Sequence, residues 1–447
     1  MSTVTARGPS ASESLERLGL TALVYMPFRV FFSANLVSNA SWFIFDAAIN
    51  TYVLRVTGSA GMVGLAAFIY TLPGALFMLH AGILTDRFGS RRLVAISLAG
   101  GGLTILAIGL LATWNSPLWI VLAVAFCMGI LQTLGTPGFI SIVNDLVPPR
   151  AISSAVALTF LGFNVGRITG GIAAGFLLAA LGTDVRAAAA LAIVVAGILQ
   201  ALPAIPIIRI RIQETAARTT EISLVRPLVE SASYALRYPT LAVILLLSIA
   251  PGAVGLAYMY MLPVVIRDLG AAPDAIGLLY AGGGAGGLLA GLVAGPLMQR
   301  MGHGRALFVG LAAAAIGLIV TGAVGLLPVA IIGIGLTQAG FVLYASSSLA
   351  LVQALAPARL RGRLTSLFTL LYWGLMPIGA LAEGAVAQQT SSLVALVLVG
   401  SIMLCAGALA LLFRRQVTTL RIEADGRSML GHLQGSGLGS DIPNAAA

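Results

Sequence analysis

Twelve apolar stretches, each long enough to cross a lipid bilayer, divide this sequence of 447 residues. A helix needs about 20 mostly apolar residues to span a hydrocarbon core of roughly 30 Å. Only 9% of the residues are charged and the mean hydropathy is +1.01, a composition that soluble globular domains do not have. The sequence therefore predicts an all-α integral membrane protein. We place the twelve transmembrane helices at residues 31–54, 61–81, 93–113, 118–141, 152–181, 187–208, 240–265, 275–298, 305–326, 328–352, 364–388 and 391–413.

A short motif at the end of the second stretch recurs near the end of the eighth. The first copy runs from Gly82 to Arg92 with the sequence GILTDRFGSRR, and the second runs from Gly295 to Arg305 with the sequence GPLMQRMGHGR. Five identities share one offset of 213 residues, which is close to half of the chain. A fixed offset of that size indicates two homologous halves, so we expect two pseudo-symmetric six-helix bundles. Duplicated halves of this kind are an architecture of secondary transporters.

Polar segments define the domain organisation. Within the central polar segment, apolar residues at helical spacing from residue 227 to residue 238 predict a helix that lies along the membrane surface. The predicted parts are a cytoplasmic N-terminal tail (1–30), an N-terminal bundle (31–208), a cytoplasmic linker (209–239), a C-terminal bundle (240–413) and a glycine-rich, disordered cytoplasmic tail (414–447).

Arginine marks one side of the membrane. Every basic residue is Arg, and no Lys occurs. Arg167 lies inside an apolar stretch and Arg55, Arg186 and Arg267 fall in loops of one side, whereas the remaining arginines fall on the other side. Because cytoplasmic loops carry the excess of basic residues, we expect both termini in the cytoplasm and the protein in the cell (inner) membrane. The net charge of +10 follows from this bias, so we do not expect nucleic acid as a partner.

The sequence holds no motif for a metal, a cofactor or ATP. Cys127 and Cys405 are isolated within apolar stretches, where we interpret them as apolar filler. Gly282, Gly284 and Gly287 satisfy GxGxxG, but no strand precedes them, which favours helix packing over phosphate binding. A P-loop needs Lys, which is missing from this sequence. We therefore expect neither a cofactor nor an enzyme.

The segment from Gly82 to Arg92 resembles the signature loop of the major facilitator superfamily. Further segments are similar to the branch that contains siderophore exporters and macrolide-type drug efflux proteins. The resemblance implies the twelve-helix major facilitator fold and drug:proton antiport, and we expect a monomer. The segments that carry the similarity to this branch are Asn144–Pro148, Asn164–Arg167, Pro357–Arg363 and Pro377–Ala380.

The resemblance also assigns a conformational latch to the signature loop. In the superfamily the Asp of this loop, here Asp86, bridges to an Arg at the start of helix eleven, here Arg363, and locks the cytoplasmic side shut. Gln299 in the second copy cannot form the charged equivalent, so we expect an asymmetric latch. The alternative for the arginines is anchoring to anionic headgroups. The predicted latch residues are Gly82, Asp86, Arg87, Gly89, Arg91, Arg92, Asp145 and Arg363, with Asp145 as a partner for the loop around Arg91.

Three charged residues lie well inside the predicted helices: Asp46 in the first, Arg167 in the fifth and Glu383 in the eleventh. Such residues are costly in a bilayer and are usually functional. Asp46 and Arg167 each lie about 22 Å from the predicted cytoplasmic end of their helix, so we predict that they face each other. Asp46 is our candidate for the proton-coupling carboxylate, and a static ion pair is the alternative. Glu383 is the next candidate.

Three glycines of the fifth predicted helix, Gly166, Gly170 and Gly175, resemble the glycine-rich signature of antiporters. The sequence departs from that signature, because Gly171 stands where the signature has Pro and Ala174 precedes Gly175. The sequence therefore does not support the kink that the Pro of the signature would produce in the fifth helix. The alternative interpretation is that small residues four apart let two helices approach closely.

The leading hypothesis is a proton-coupled antiporter that exports amphipathic small molecules, either drug-like or siderophore-like, as two bundles rock around a central site. The alternative is a facilitator or symporter that imports a polar or anionic metabolite bound by Arg167. A third hypothesis, a membrane enzyme or a scaffold, lacks a cluster of nucleophile, base or metal ligands. The expected partners are the small-molecule substrate, protons and membrane lipid.

Overall fold

The structure, a computed structural model, describes residues 20–181, 184–210, 225–413 and 415–422. Almost all of these residues are helical, and the described part contains no strand. The twelve long helices are α1 Met26–Thr57, α2 Ala60–Phe88, α3 Ser90–Thr113, α4 Leu118–Leu146, α5 Ile152–Ala179, α6 Val185–Arg209, α7 Pro239–Asp268, α8 Ile276–Met301, α9 His303–Val324, α10 Leu327–Leu355, α11 Arg361–Gln389 and α12 Ser392–Phe413.

The fold class predicted from the sequence is confirmed. Eleven of the helices are long and apolar enough to cross a membrane by length and composition. The twelfth, α1, is more polar, since it carries Arg29, Asp46 and Arg55. It also begins at Met26, earlier than the predicted start at residue 31, because Pro27 in its first turn needs no N–H partner there.

Three of the helices are interrupted, and a proline accompanies each break. α6 is interrupted at Pro203, α7 contains a π-helical turn at Pro251–Gly255, and α11 is interrupted at Gly374, shortly before Pro377. Proline has no N–H to donate, and its ring collides with the preceding turn, so the helical hydrogen-bond ladder stops at these points. The breaks in α7 and α11 adjoin, because α11 packs against the π-helical turn of α7.

Each half uses the same helix neighbours. In the first half α3 packs against α4 and α6, and α2 packs against α4. In the second half α9 packs against α10 and α12, and α8 packs against α10. These are two pseudo-symmetric six-helix bundles, as the repeated turn predicts.

The most extensive contacts between the halves are those of α2 with α11 and of α5 with α8. One end of this seam is closed. There the backbones of Gly64 and Gly384 touch, so that a Cβ on Gly64 would lie 2.8 Å from the Gly384 Cα. The Ser59 hydroxyl also donates to Gln388 Oε1 at 2.9 Å. We call this the opposite end, and we call the end that holds the α2–α3 and α8–α9 turns the arginine-rich end.

The seam separates at the arginine-rich end. A cavity of about 470 Å³ lies between α2, α4 and α11. Gly82 on α2 and Gly362 on α11 face open space, because a Cβ built on either would find no atom within 4 Å. The structure is therefore open at the arginine-rich end and closed at the opposite end.

The linker contributes an amphipathic helix, Val225–Arg237, where the sequence predicts one. We call it the linker helix. It packs against the start of α11, and Glu230 Oε2 lies 3.2 Å from Arg363 Nη1. The linker helix therefore contacts the same helix end at which the sequence places the latch arginine.

Part of the C-terminal segment that the sequence marks as disordered is folded. Arg415–Thr419 form a 3₁₀ helix after α12, and Val417 and Leu420 are buried. The Gly304 N–H donates to the Leu420 carbonyl at 3.1 Å. Two apolar side chains and a backbone hydrogen bond thus hold this segment against the start of α9. The glycine content of the segment, on which the prediction of disorder rested, does not reveal these contacts. The rest of the segment lies outside the described residues.

Candidate functional site

Asp46 lies at a junction between the two halves. It is fully buried in α1. Its Oδ2 accepts a hydrogen bond from the Tyr280 hydroxyl at 2.5 Å, and its Oδ1 accepts from the Tyr70 hydroxyl at 2.9 Å and from Asn50 Nδ2 at 3.2 Å. Tyr70 and Asn50 belong to the first half, whereas Tyr280 belongs to α8 in the second. The carboxylate therefore bonds to both bundles at once.

Arg167 makes the reciprocal connection. It is buried in α5 with 1% of its surface exposed. Its Nη1 donates to Gln338 Oε1 on α10 at 2.6 Å, and its Nη2 donates to the Tyr258 hydroxyl on α7 at 2.8 Å. A Cβ on Gly283 of α8 would lie 3.0 Å from the Arg167 guanidinium carbon, so a side chain at this position would crowd the guanidinium. Both hydrogen-bond partners of Arg167 in the described part of the chain are in the second half.

Tyr280 stands between Asp46 and Arg167. Its hydroxyl binds Asp46, and its ring centroid lies 5.9 Å from the Arg167 guanidinium carbon, which also lies 5.7 Å from the Phe43 ring. An ion pair between Asp46 and Arg167, which was the alternative to a coupling role for Asp46, is not among the ion pairs of the described residues, because the Tyr280 ring lies between the two side chains. We call the connected set the interbundle cluster, which comprises Asp46, Asn50, Tyr70, Arg167, Tyr258, Tyr280 and Gln338.

Glu383 lies apart from the interbundle cluster. It is buried in α11 with 2% of its surface exposed, and neither carboxyl oxygen has a hydrogen-bond partner in the described part of the chain. Its neighbour Gly384 touches Gly64 of α2, and Gly379, one turn earlier, packs against Ala253 of α7. Glu383 is therefore held in the closed seam without a polar contact, an arrangement that is costly for a charged carboxylate.

The cavity at the arginine-rich end has a mixed lining. Asp86 is the one charged residue among the residues that line it, and it lies near the mouth. A volume of about 470 Å³ is within the range of small-molecule sites. Hydroxyl groups and apolar side chains make up most of the wall, including Thr71, Thr365, Ser366, Thr369, Met78, Ile83, Leu370 and Trp373.

The two expected partners of the latch do not meet in this structure. Asp86 is exposed and has no hydrogen bond or ion pair with any described residue, while Arg363 pairs with Glu230 of the linker helix. A latch that closes the arginine-rich end is expected to be broken when that end is open. The other arginines at the tip of the loop, Arg87 and Arg92, are also exposed.

The rest of the signature loop forms hydrogen bonds within its own bundle. The Ser90 hydroxyl lies 3.2 Å from Asp145 Oδ2, and Arg91 Nη1 donates to the Ile210 carbonyl at 2.8 Å. Asp145 thus contacts the loop through Ser90, next to Arg91. Gly89 has a φ of 85°, a conformation that glycine adopts without steric cost and that allows the reversal between α2 and α3.

The glycines of α5 lie at close helix contacts. A Cβ on Gly166 or Gly170 would collide with α1, in the second case with the backbone oxygen of Ala40. A Cβ on Gly175 would lie 2.5 Å from the Asp274 carbonyl just before α8. The small residues therefore let α5 approach α1 on one side and the second half on the other.

Sequence reasoning missed the uncharged partners. Tyr70, Tyr258, Tyr280 and Gln338 carry the hydrogen bonds of the interbundle cluster, but a neutral polar residue in an apolar stretch has no distinctive spacing. Their proximity to Asp46 or Arg167 depends on how helices distant in sequence pack. Among the described residues, no group of three or more His, Cys, Asp and Glu side chains could hold a metal ion.

Two six-helix bundles that enclose a cavity and share a buried charged cluster define a membrane transporter of the major facilitator superfamily. Residues 19–429 match the family described as "Transmembrane secretion effector", and the chain belongs to this family, in the efflux branch of the superfamily.

Two of the relatives with transport names illustrate the extent of the similarity. Macrolide efflux protein A of Streptococcus pyogenes is 29% identical over 133 residues, which are 29% of this chain and 32% of that protein. The Staphyloferrin A transporter of Staphylococcus aureus is 27% identical over 154 residues, which are 34% of this chain and 38% of that protein. The similarity thus spans only about a third of each of these relatives.

Solved structures share the fold. A crystal structure of a nucleoside transporter has a TM-score of 0.71 at 13% identity and covers 86% of this chain and 99% of that one. A bacterial homologue of the human lysosomal transporter Spinster, in an inward-facing and unoccupied conformation, has a TM-score of 0.66 at 17% identity and covers 89% and 99%. Identities this low establish the fold alone.

Proposed function

We propose that this protein exports amphipathic small molecules by alternating access, in exchange for protons. The observation that carries the proposal is the cavity of about 470 Å³ at the arginine-rich end, with its apolar and hydroxyl lining and a single carboxylate. Such a lining suits a molecule that combines hydrocarbon surface with a few polar groups. The name of one relative, macrolide efflux protein A, supports export.

The arginine-rich end is the cytoplasmic end in this proposal. Loops with an excess of arginine stay in the cytoplasm, which puts both termini there and gives the protein its orientation in the inner membrane. The open cavity then loads substrate from the cytoplasm or from the inner leaflet. The protein works as a monomer, because one chain supplies both bundles.

Asp46 is the proposed proton-coupling carboxylate. Its three donors favour the ionised form, and the shortest hydrogen bond comes from Tyr280 of the other half. When the opposite end opens, α8 moves away, the bond from Tyr280 is lost and water reaches the carboxylate, which then takes up a proton from outside. Closure restores the bond and favours release of the proton, so proton entry is linked to the return of the empty carrier.

Arg363 alternates between two carboxylates in this cycle. In the open state it contacts Glu230 of the linker helix at 3.2 Å. When the arginine-rich end closes, Arg363 exchanges Glu230 for Asp86 and bridges the bundles. The latch is asymmetric because Gln299, which corresponds to Asp86 in the second copy, carries no charge.

Transport by the reconstituted protein tests the coupling role. A deletion strain screened against lipophilic toxins identifies a substrate, which is then assayed in proteoliposomes with an imposed pH gradient. Asp46→Asn should keep downhill exchange but lose accumulation driven by the gradient. Asp184→Asn, a change at an exposed carboxylate in a loop, is the matched control and should behave as wild type. Normal pH-driven accumulation by Asp46→Asn would exclude Asp46 and make Glu383 the next candidate.

A second candidate function is facilitated or proton-coupled import of an anionic metabolite. One observation favours it: the Nε of Arg167 is buried and has no hydrogen-bond partner in the described part of the chain. An anion in the central site could accept a hydrogen bond from this atom. Uptake of labelled carboxylates by wild type that is lost in Arg167→Lys would support import. Export of lipophilic compounds without such uptake would support the first proposal.

A further inference from the structure

A small pocket at the opposite end lies on the line where the halves meet. It has a volume of about 220 Å³ and is formed by the end of α1 from the first half and by α7 and the start of α8 from the second. Leu54, Pro263, Ile266 and Ile276 give it an apolar wall. The pocket therefore exists only while the two halves are in contact at this end.

Two guanidinium groups line this pocket, and its lining holds no carboxylate. Of the three arginines that fall on this side, Arg55 and Arg267 line the pocket and Arg186 does not. Arg55 makes no hydrogen bond or ion pair with any described residue. The wall thus carries a positive charge with no counterion of its own.

Arg267 is held in place by its neighbours. Its Nε and Nη2 each lie 2.9 Å from Asp268 Oδ1, and its Nη1 donates to the Gly58 carbonyl of the first half at 3.3 Å. Asp268 Oδ2 accepts from the N–H and the hydroxyl of Ser392 at 2.8 and 2.7 Å. Asp268 therefore positions Arg267 and compensates its charge, whereas Arg55 is exposed and has no ion-pair partner among the described residues.

We propose that this pocket binds a small organic anion, whose carboxylate pairs with Arg55 and Arg267 and whose short hydrocarbon chain lies on the apolar wall. Charge-assisted hydrogen bonds to guanidinium groups are the strong interactions of such a site. The volume corresponds to roughly seven waters at about 30 Å³ each, which leaves room for a carboxylate with a few carbons. This site is separate from the cavity and from Asp46, so it does not depend on the proposed function.

Binding at this site affects the conformational equilibrium. The pocket takes Arg55 from one bundle and Arg267 from the other, so an anion bound to both arginines holds the opposite end closed. A ligand that binds one conformation better shifts the equilibrium toward that conformation. The anion therefore favours the state that is open at the arginine-rich end, and it slows the opening of the opposite end.

Binding is tested with pentanoate on the purified full-length chain in nanodiscs of neutral phosphatidylcholine, by calorimetry and by thermal unfolding. Wild type should bind pentanoate saturably, while butylammonium and pentanol at the same concentrations should not compete. Because Arg55 is exposed, Arg55→Gln should weaken binding by about threefold to fivefold. Arg55→Lys should retain part of the affinity, and Arg186→Gln, on the same face but outside the pocket, should bind as wild type.

Two results would overturn the proposal. One is the absence of saturable pentanoate binding to wild type, and the other is equal affinity in wild type and Arg55→Gln. A cross-linked variant tests the dependence on closure, because a Cβ on Gly61 would lie 3.6 Å from the Gln388 Cβ, a spacing that suits a disulfide between cysteines at these positions in a chain with Cys127→Ser and Cys405→Ser. The cross-linked protein should bind pentanoate at least as tightly as its reduced form. Weaker binding after cross-linking would contradict a site formed by the closed seam.

Discussion

The two copies of the duplicated turn perform the same structural task with different groups. In the first copy the Arg91 side chain donates to the Ile210 carbonyl after α6, at 2.8 Å. In the second copy the N–H of Gly304, which the 213-residue offset aligns with Arg91, donates to the Leu420 carbonyl after α12, at 3.1 Å. Each turn therefore anchors the chain that leaves its own bundle.

The copies differ in charge at their tips. The first copy carries Asp86 at the position where the second carries Gln299. Both copies thus anchor the chain that leaves their bundle. Only the first copy carries a charge at this position that could form an ion pair with the other half. Duplication has kept the local packing requirement and has changed the residue that faces the other bundle.

The largest expected effect comes from the second copy. A Cβ at Gly304 would collide with the backbone oxygen of Val417, so Gly304→Ala should displace the C-terminal segment and destabilise the fold by about 1–3 kcal/mol. Thermal unfolding in detergent measures the change. Gly295→Ala, at a position with no atom within 4 Å, is the control and should unfold as wild type. Equal unfolding temperatures for the two variants would contradict the proposed anchoring.

The next effect concerns the charged tip of the first copy. Asp86→Asn should reduce transport about fivefold to tenfold while membrane insertion stays normal, because the closed state would lose the proposed bridge to Arg363. Gln299→Ala, the matched change in the second copy, should leave the rate near wild type. Transport in proteoliposomes normalised to protein content is the measurement.

A charge swap sharpens this prediction. Asp86→Arg combined with Arg363→Asp should recover part of the activity that either single change removes. If the double variant is no better than the singles, the two residues do not bridge directly, and the arginines of the loop serve as headgroup anchors instead.

The smallest effect concerns the linker helix. The Glu230–Arg363 pair is half exposed, so it contributes no more than about 1 kcal/mol. Glu230→Gln should therefore shift the conformational equilibrium toward closure of the arginine-rich end by at most about fivefold. Labelling of a cysteine at Gly362 by a soluble maleimide reports the open fraction. In the Arg363→Gln background, Glu230→Gln should not change the open fraction further. If Glu230→Gln shifted the open fraction there as much as in wild type, Glu230 would act through a residue other than Arg363.

Much of the fold can be predicted from the sequence because the bilayer imposes it. The length of each apolar stretch predicts the extent of a transmembrane helix, and the 213-residue offset predicts two homologous bundles. The prediction for the C-terminal segment was less accurate, since burial of Val417 and Leu420 depends on a turn more than a hundred residues away in the chain.

The candidate site could be predicted only in part. Charge inside an apolar stretch identifies Asp46, Arg167 and Glu383, because a charged group is costly in a membrane and usually has a function where it occurs. Their partners could not be predicted. Tyr280 separates Asp46 from Arg167 only because α8 packs against α5, and equal depth along two helices does not determine which faces meet.

In the proposed transport cycle the two ends of the seam open in alternation. Paired spin labels measure this directly, with one pair at Ser59 and Gln388 for the opposite end and a second at Gly82 and Gly362 for the arginine-rich end. The labels go into a chain with Cys127→Ser and Cys405→Ser, and the distances are recorded by pulsed dipolar spectroscopy.

Without substrate at neutral pH, we expect the first pair to be close, as Ser59 and Gln388 are in this structure, and the second pair to be distant. Acidification, which in the proposed cycle protonates Asp46, should increase a population in which the first distance lengthens and the second shortens, and Asp46→Asn should mimic acid at neutral pH. Distances that lengthen together at both ends, or that do not respond to either acid or Asp46→Asn, would contradict alternating access coupled to this carboxylate.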